Sequence, residues 1–338
     1  MYRVVVADKD GEELGEFTHF LGLDFGKRLN NFGKATVDLS VIDPTIAALI
    51  SLRRYEIKIY RDDVLVWAGE QVHHNGTLDD TNEFPLKLDC FTYLEGFNGR
   101  FTDKVRSFTD VDYGEIIDTL IQESQALDNG WLGVVTGTIE TTSLHTDTYY
   151  RANILQTAIN LSQREDGFDF DISDLKIFDV WEHRGTDKSA DVIFEYGVNM
   201  EAPTIDTDFT NPVNQSIYQG SGFGEDRLES IQEDVYSQPN VRLRQALTLD
   251  ADVSVQGTLD SKSLAIVNRF KTPLITITFR VANNTFPDFT DLDIGDSVRI
   301  KIKKGIYDIN NVFRIYGYNV QVDGNGKETI EYFVSLIQ

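Results

Sequence analysis

The chain has 338 residues, 41% of them hydrophobic and 11% aromatic, with a formal net charge of −24 and one cysteine. That apolar content fills real cores and excludes a disordered chain, and no apolar run approaches the ~20 residues that span a bilayer. The lone Cys90 excludes an intrachain disulfide and a four-cysteine zinc site, and the acidity argues against wrapping nucleic acid with clustered Lys and Arg.

The opening "MYRVVVADKDGEELGEF" predicts a strand over 2–7, a turn and a second strand. It lacks the apolar stretch and cleavage site of a signal peptide, so synthesis in the cytoplasm without export by that route is expected. In "KATVDLSV", Ala35, Val37, Leu39 and Val41 alternate with Lys34, Thr36, Asp38 and Ser40, the mark of a half-buried strand. "PTIAALI" predicts a short helix, with Asp43 as cap and Pro44 at its first position. "YEIKIYRDDVLVWAGEQVHH" predicts a hairpin turning at Arg61-Asp62-Asp63, and "EFPLKLDCFTYLEGF" one more strand.

Helical spacing follows. Ile116, Ile117, Leu120, Ile121 and Leu127 mark one helix, with Asp112 as cap. Ile154, Leu155, Ala158, Ile159 and Leu161 mark a second, with Gly167 as its stop. "FDFDISDLKIFDVWEHRG" alternates as two short strands around a Ser-Asp turn. Strands resume from "ADVIFEYGVN" and include "PVNQSIYQGSGFG", whereas "RLESIQEDVYSQPNVRLRQALTL" reads as irregular and helical. A helix and a strong strand, Leu274–Val281, come next. In "SVRIKIKKGIY", Val298, Ile300 and Ile302 face one way and Arg299, Lys301 and Lys303 the other. "VFRIYGYNVQV" and "ETIEYFVSLI" close the chain around the glycine-rich turn "DGNGK".

The expected fold class is therefore α+β, mainly β. Two antiparallel β-barrel domains, 1–97 and 191–338, flank an inserted α+β module, 98–190, and an irregular or helical insertion covers about 225–270. Acid is unevenly spread: 165–234 holds 18 Asp and Glu against 4 Lys and Arg, whereas 262–338 holds 8 against 10.

Catalytic and metal-binding patterns are weak. His73 and His74 are adjacent and point to opposite faces of a strand, and no H-x-x-x-H joins any of the five histidines. "QGSGFG" at 219–224 opens no helix after a βαβ strand, so it reads as a strand-end loop rather than a dinucleotide site. The carboxylates Glu165, Asp166, Asp169, Asp171, Asp174, Glu225, Asp226, Glu233 and Asp234 read as a solvated acidic face. No cofactor and no metal are expected.

The order of the pieces carries a resemblance. Arg28, Leu29, Asn30 and Gly33, then Tyr60, Arg61, Asp62, Trp67 and Gly69, form an "R-L-N-x-x-G" segment followed by a "Y-R-D" turn and "W-x-G". "YGEIIDTLI", "RANILQTAINLSQREDGFDFDI" and "LDIGDSVRIKI" follow in turn. Together they resemble the baseplate or tail-tip hub proteins of tailed phages, a fold also found in the N-terminal part of tail-associated lysins. The resemblance implies a homotrimer whose two barrels per chain make a pseudo-sixfold ring, continuing the tail tube and its distal ring around a DNA channel. It implies no active site in the hub. Lytic activity in the family lies in an extra C-terminal domain, which is not expected here because the chain ends at Gln338 just after its last expected strand.

Two surface features follow. The stripe Arg299, Lys301, Lys303 either meets an acidic surface on a neighbouring subunit or ring, or is simply solvated. Trp131, in the loop "LDNGWLG", is the best exposed aromatic, whereas Trp67 and Trp181 sit in alternating strands and read as packing residues. Two other readings remain open: a carbohydrate-binding tail-tip adhesin, which needs such exposed aromatics, and a cell-wall hydrolase, which needs a carboxylate pair in a sugar-sized cleft.

Overall fold

Alternation decides most of the strands. The computed structural model describes residues 1–40, 54–76, 85–140, 142–164, 166–210, 212–251, 253–281 and 287–336, so the helix expected at 44–50 lies outside the described residues. The N-terminal strands are β1 (Tyr2–Ala7), β2 (Glu13–Phe17), β3 (Gly22–Arg28), β4 (Lys34–Ser40), β5 (Glu56–Arg61), β6 (Val64–Gly76) and β7 (Pro85–Phe91). On β4 the apolar set Ala35, Val37 and Leu39 is wholly buried. The β5–β6 turn places Asp62 and Asp63 at positive φ, a conformation that Asp tolerates.

After a 3₁₀ turn at Tyr93–Phe97, the chain forms β8 (Arg106–Asp112), α1 (Tyr113–Gln125), β9 (Val135–Ile139), β10 (Leu144–Tyr149), α2 (Ile154–Ser162), β11 (Asp169–Ile172) and β12 (Ile177–Trp181). The first helix is capped as its sequence suggests, with Asp112 accepting from the Gly114 N–H at 2.8 Å, and the second is capped by Asn153, which accepts from the Gln156 N–H at 2.9 Å. The first helix stops at Gln125, so Leu127 lies beyond it and is exposed rather than part of its apolar face. Ile116, Ile117, Leu120 and Ile121 pack with Ile154, Leu155, Ala158 and Leu161 and with Phe170, Phe178 and Val180 in a core of their own.

The remaining strands are β13 (Ile193–Glu195), β14 (Met200–Asp208), β15 (Gln215–Gln219), β16 (Glu229–Glu233), β17 (Gln245–Leu249), β18 (Leu274–Val281), β19 (Ser297–Lys304), β20 (Tyr307–Asp323) and β21 (Glu328–Leu336). Helix α3 is a single turn at Gln238–Val241, and α4 spans Gln256–Phe270. The segment expected to be irregular and helical instead supplies β16 and β17, which flank β15 in a three-stranded sheet with order β16-β15-β17. The apolar residues Ile231 and Leu247 face outward in these strands, so the usual buried alternation is missing from the sequence. "QGSGFG" is a strand-end loop, as expected.

The N- and C-terminal strands do not stand apart. Thirteen strands form one sheet, in the order β14-β18-β21-β20-β3-β4-β7-β6-β5-β1-β2, with β19 also on β20 and β13 on β19. The join is the antiparallel pair β3–β20, from Gly317 opposite Arg28 to Asp323 opposite Gly22. One apolar core runs beneath both halves, from Val4, Phe25 and Trp67 to Phe194, Phe279, Phe313 and Tyr332. The join is tight. A Cβ on Gly26 would lie 2.2 Å from Asn319 Oδ1 and 2.3 Å from the Tyr318 carbonyl oxygen. The indole N–H of the buried Trp67 donates to the Gly26 carbonyl at 3.2 Å, on the other side of the same strand. The outer strands are blunted: β14 carries Glu201, Pro203, Asp206 and Asp208, and β2 carries Glu13 and Glu16.

Gly26→Ala is expected to destabilise the protein by about 1–3 kcal/mol, because the added methyl meets backbone. Urea unfolding measures it, and an unchanged midpoint would show that the β3–β20 join can open without cost.

Candidate assembly interface

Carboxylates leave water at a cost of several kcal/mol each unless a cation and hydrogen bonds replace the solvent. The β11–β12 hairpin carries Asp169, Asp171 and Asp174, and each meets that condition where the inserted module touches the sheet. Asp174 pairs with Lys27 of β3 and accepts from the Ala68 N–H of β6 at 2.9 Å. Next to it, Lys176 reaches the buried Glu56 of β5 at 2.6 Å and lies 4.8 Å over the Tyr93 ring. Asp171 pairs with Arg184 at 2.6 Å, and Arg184 also reaches Asp293 at 3.2 Å. Asp169 pairs with Arg314 of β20 and takes the Arg184 N–H at 2.8 Å. These three acids were expected on a solvated face; they are instead the ionic seam that holds the module to the sheet. Counting charge along a sequence does not reveal which carboxylates meet cations from distant strands.

The seam shifts ionisation. Burial pushes Asp171 up, and the Arg184 charge opposes this without cancelling it. Burial would lower Lys27, but the Asp174 charge outweighs it and holds the ammonium above the ordinary lysine value. Asp296, in the turn before β19, is raised by burial, but Lys188 at 2.8 Å and backbone N–H groups outweigh that and hold it below the ordinary aspartate value.

The basic stripe lies on β19, between β20 and β13. Val298, Ile300 and Ile302 are buried in the core, as their alternation requires. Opposite them, parallel pairing with β13 sets Ile193 beside Arg299 and Glu195 beside Lys301. Arg299 is half-buried, and its Nε donates to the Ser189 carbonyl at 3.4 Å. Exposure grows along the strand: the Lys303 side chain is 86% exposed and, among the described residues, forms an ion pair with the open Asp308 at 3.7 Å. Lys304 packs 5.0 Å over the Tyr196 ring. The accessible positive charge is thus concentrated at the hairpin tip.

Trp131 is 66% exposed. A buried glutamine presents its loop: the Gln125 amide donates to the Val134 carbonyl at 2.8 Å and accepts from the Val134 N–H at 2.9 Å. Trp67 is fully buried, and Trp181 is half-buried with the Arg184 guanidinium 4.7 Å over its ring. Cys90 is fully buried on β7, and burial pushes its thiol up, opposite to the need of a nucleophile. His73 meets Asp89 at 3.2 Å and His74 meets Gln71 at 3.0 Å. Among the described residues, no group of three or more His, Cys, Asp or Glu is placed to hold a metal ion. No helix among them is long and apolar enough to cross a membrane.

No protein-family model matches the chain, and no curated protein matches its sequence. Solved structures match nearly end to end. A tail protein from Neisseria meningitidis MC58 superposes with a TM-score of 0.71 at 14% identity, over 99% of this chain and 96% of that one. The 43 kDa tail protein of prophage MuSo2 from Shewanella oneidensis gives 0.70 at 11% identity, over 99% and 98%. The E. coli c3393 protein is described as a type VI secretion system component with structural similarity to T4 bacteriophage tail proteins gp27 and gp5. It gives 0.56 at 8% identity, over 95% and 74%. The fold is that of these phage tail and tail-like proteins.

In this fold, the residues that carried the sequence resemblance are joints. Asn30 sits at positive φ; its amide donates to Asp169 at 3.0 Å and accepts from the Phe170 N–H at 2.9 Å. Arg28 donates to the Tyr318 carbonyl at 2.8 Å and stacks 4.2 Å over Phe333. Arg61 grips Asp288 at 2.8 Å and Glu328 at 3.1 Å, tying the first hairpin to the C-terminal strands. Sequence reasoning missed the seam acids and the exposed Ile306 at the β19–β20 tip. The only local signal for the latter is an apolar residue directly after the Lys-Lys-Gly break.

Asp169→Ala leaves Arg314 unpaired in the seam, so a loss of about 3–5 kcal/mol is expected. Glu225→Ala, on an exposed turn, should change stability by less than about 0.5 kcal/mol; equal midpoints for the two in urea would dissolve the seam argument. Asp296 titrates below its unfolded value. Its contribution is therefore complete above the ordinary aspartate value of 3.8 and is lost as pH falls through the folded value. Asp171, held high, contributes with the opposite slope. The acid limb of the stability curve should flatten in Asp296→Asn, as read from unfolding midpoints across acidic pH.

Proposed function

We propose that the chain is the structural hub of a phage or phage-like tail tip. Three copies close a pseudo-sixfold ring that joins the tail tube to the tip and surrounds the DNA channel. The observation that carries this reading is the end-to-end match to tail proteins, which leaves almost no part of either chain unaccounted for. The two halves of the sheet support it, since each contributes a long hairpin, β5–β6 and β19–β20, to one continuous surface. The part is structural rather than catalytic. Its partners are further copies of itself, the distal ring of the tail tube and other tail-tip proteins, in a virion assembled after synthesis in the host cytoplasm.

The charge of −24 fits a channel that DNA crosses without binding. Carboxylates facing a channel repel phosphates, and a polymer held off the wall keeps sliding. The positive residues Arg299, Lys301 and Lys303 then serve contacts between protein subunits, where complementary charge fixes register and partner choice more than affinity.

Light scattering across protein and salt concentration tests the ring. The expected result is a native mass three times that of the chain, with association favoured at high protein concentration, and negligible retention of duplex DNA at physiological salt. A species that remains a monomer at every concentration would remove the ring from this reading.

A further inference from the structure

The three-stranded sheet has two unlike faces. Ser216, Tyr218 and Ser230 turn inward and meet Leu259, Ser263 and Val267 of α4. The other face is set by register: Ile217 lies opposite Ile231 on β16 and opposite Leu247 on β17. This apolar row crosses all three strands, and Leu249 extends it. Ile231 is 53% exposed, Leu247 68% and Leu249 59%. The flanking rows carry Glu233 beside Gln215 and Glu229 beside Gln219. Glutamine amides reach these carboxylates, at 3.1 Å from Gln215 and 2.9 Å from Gln219, but among the described residues no cation pairs with either. The face is an apolar stripe with an uncompensated acidic rim, a composition that marks a contact surface.

The chain carries the complement elsewhere. The β19–β20 ladder stays paired to its last rung, Lys304 opposite Tyr307, so its tip is rigid. Beyond that rung stands Ile306, 91% exposed, with the open Lys303 beside it. We propose that the hairpin tip at 303–306 of one copy docks on the Ile217–Ile231–Leu247 face of the next. Ile306 lies on the apolar row, and the lysines face Glu229 and Glu233. The occupant is a second copy because one chain carries both halves of the match, apolar to apolar and positive to negative. Two different patches of one chain make a head-to-tail contact, and such contacts close into rings when the rotation permits. This inference rests on the ring reading and names a surface that closes it. A hairpin tip is smaller than the roughly 800 Å² per partner of a standard interface, so the contact sets register within a larger one.

A charge swap tests it on the full chain. Lys303→Glu with Lys304→Glu, and separately Glu229→Lys with Glu233→Lys, should each weaken self-association by roughly tenfold or more. All four changes in one chain should restore it. Ile306→Cys with Leu247→Cys should give covalent oligomers with a short bismaleimide, while the buried Cys90 stays silent. Circular dichroism confirms that each variant is folded. An oligomer whose mass and cross-linking ignore these changes would overturn this contact and leave the ring standing. A wild-type chain that stays monomeric throughout would overturn both.

Discussion

A carboxylate taken out of water must find a cation, and the architecture of this chain hangs on three that do. Asp169, Asp171 and Asp174 sit on one short hairpin, yet their cations come from β3, from the segment after β12 and from β20. The hairpin is therefore oriented by charges drawn from both ends of the chain. Removing one partner from such a pair is far more costly than never having built it. Once folded, the seam thus resists any sliding of the module against the sheet. The Lys176–Glu56 pair under the Tyr93 ring gives the same junction a further fixed point.

With the module anchored, the surfaces left open fall into a pattern. The long sheet buries one continuous core and shields its outer strands with acids and a proline. Four exposed apolar groups sit on fixed supports: Trp131 on a loop clamped by Gln125, Ile306 on a fully paired hairpin, and Ile231 and Leu247 on a helix-backed sheet. Such placement suits a contact surface, since little conformational entropy is lost when a contact forms.

The sequence carried the fold class and most individual elements because their signals are local. The cap at Asp112, alternation in β4 and β19, and the turns at Asp62 and Gly326 are each decided by neighbouring residues. What stayed hidden was non-local. Nothing within β3 announces that its partner is β20, and Asp169 looks no different from the solvated Glu225 until Arg314 arrives from the other end of the chain. Strands β16 and β17 were missed because a strand that turns its leucine or isoleucine outward offers no buried period to read. The basic stripe was legible as a period-two pattern, but its gradation from half-buried Arg299 to open Lys303 depends on Ser189 and β13.

The pairing of β3 with β20 also bears on how the protein is made. Residues 22–28 wait for residues 317–323, so the open flank of β3 stays unsatisfied until almost the whole chain has left the ribosome. At about 5–20 residues per second, that is a delay of roughly 15–60 s. During that time the N-terminal strands present an unpaired edge to every other nascent copy. Long-range closure is intrinsically slow and exposes chains to aggregation. The same delay spaces out completion: the β19–β20 hairpin and the closing partner of β3 are finished together, at the end of synthesis.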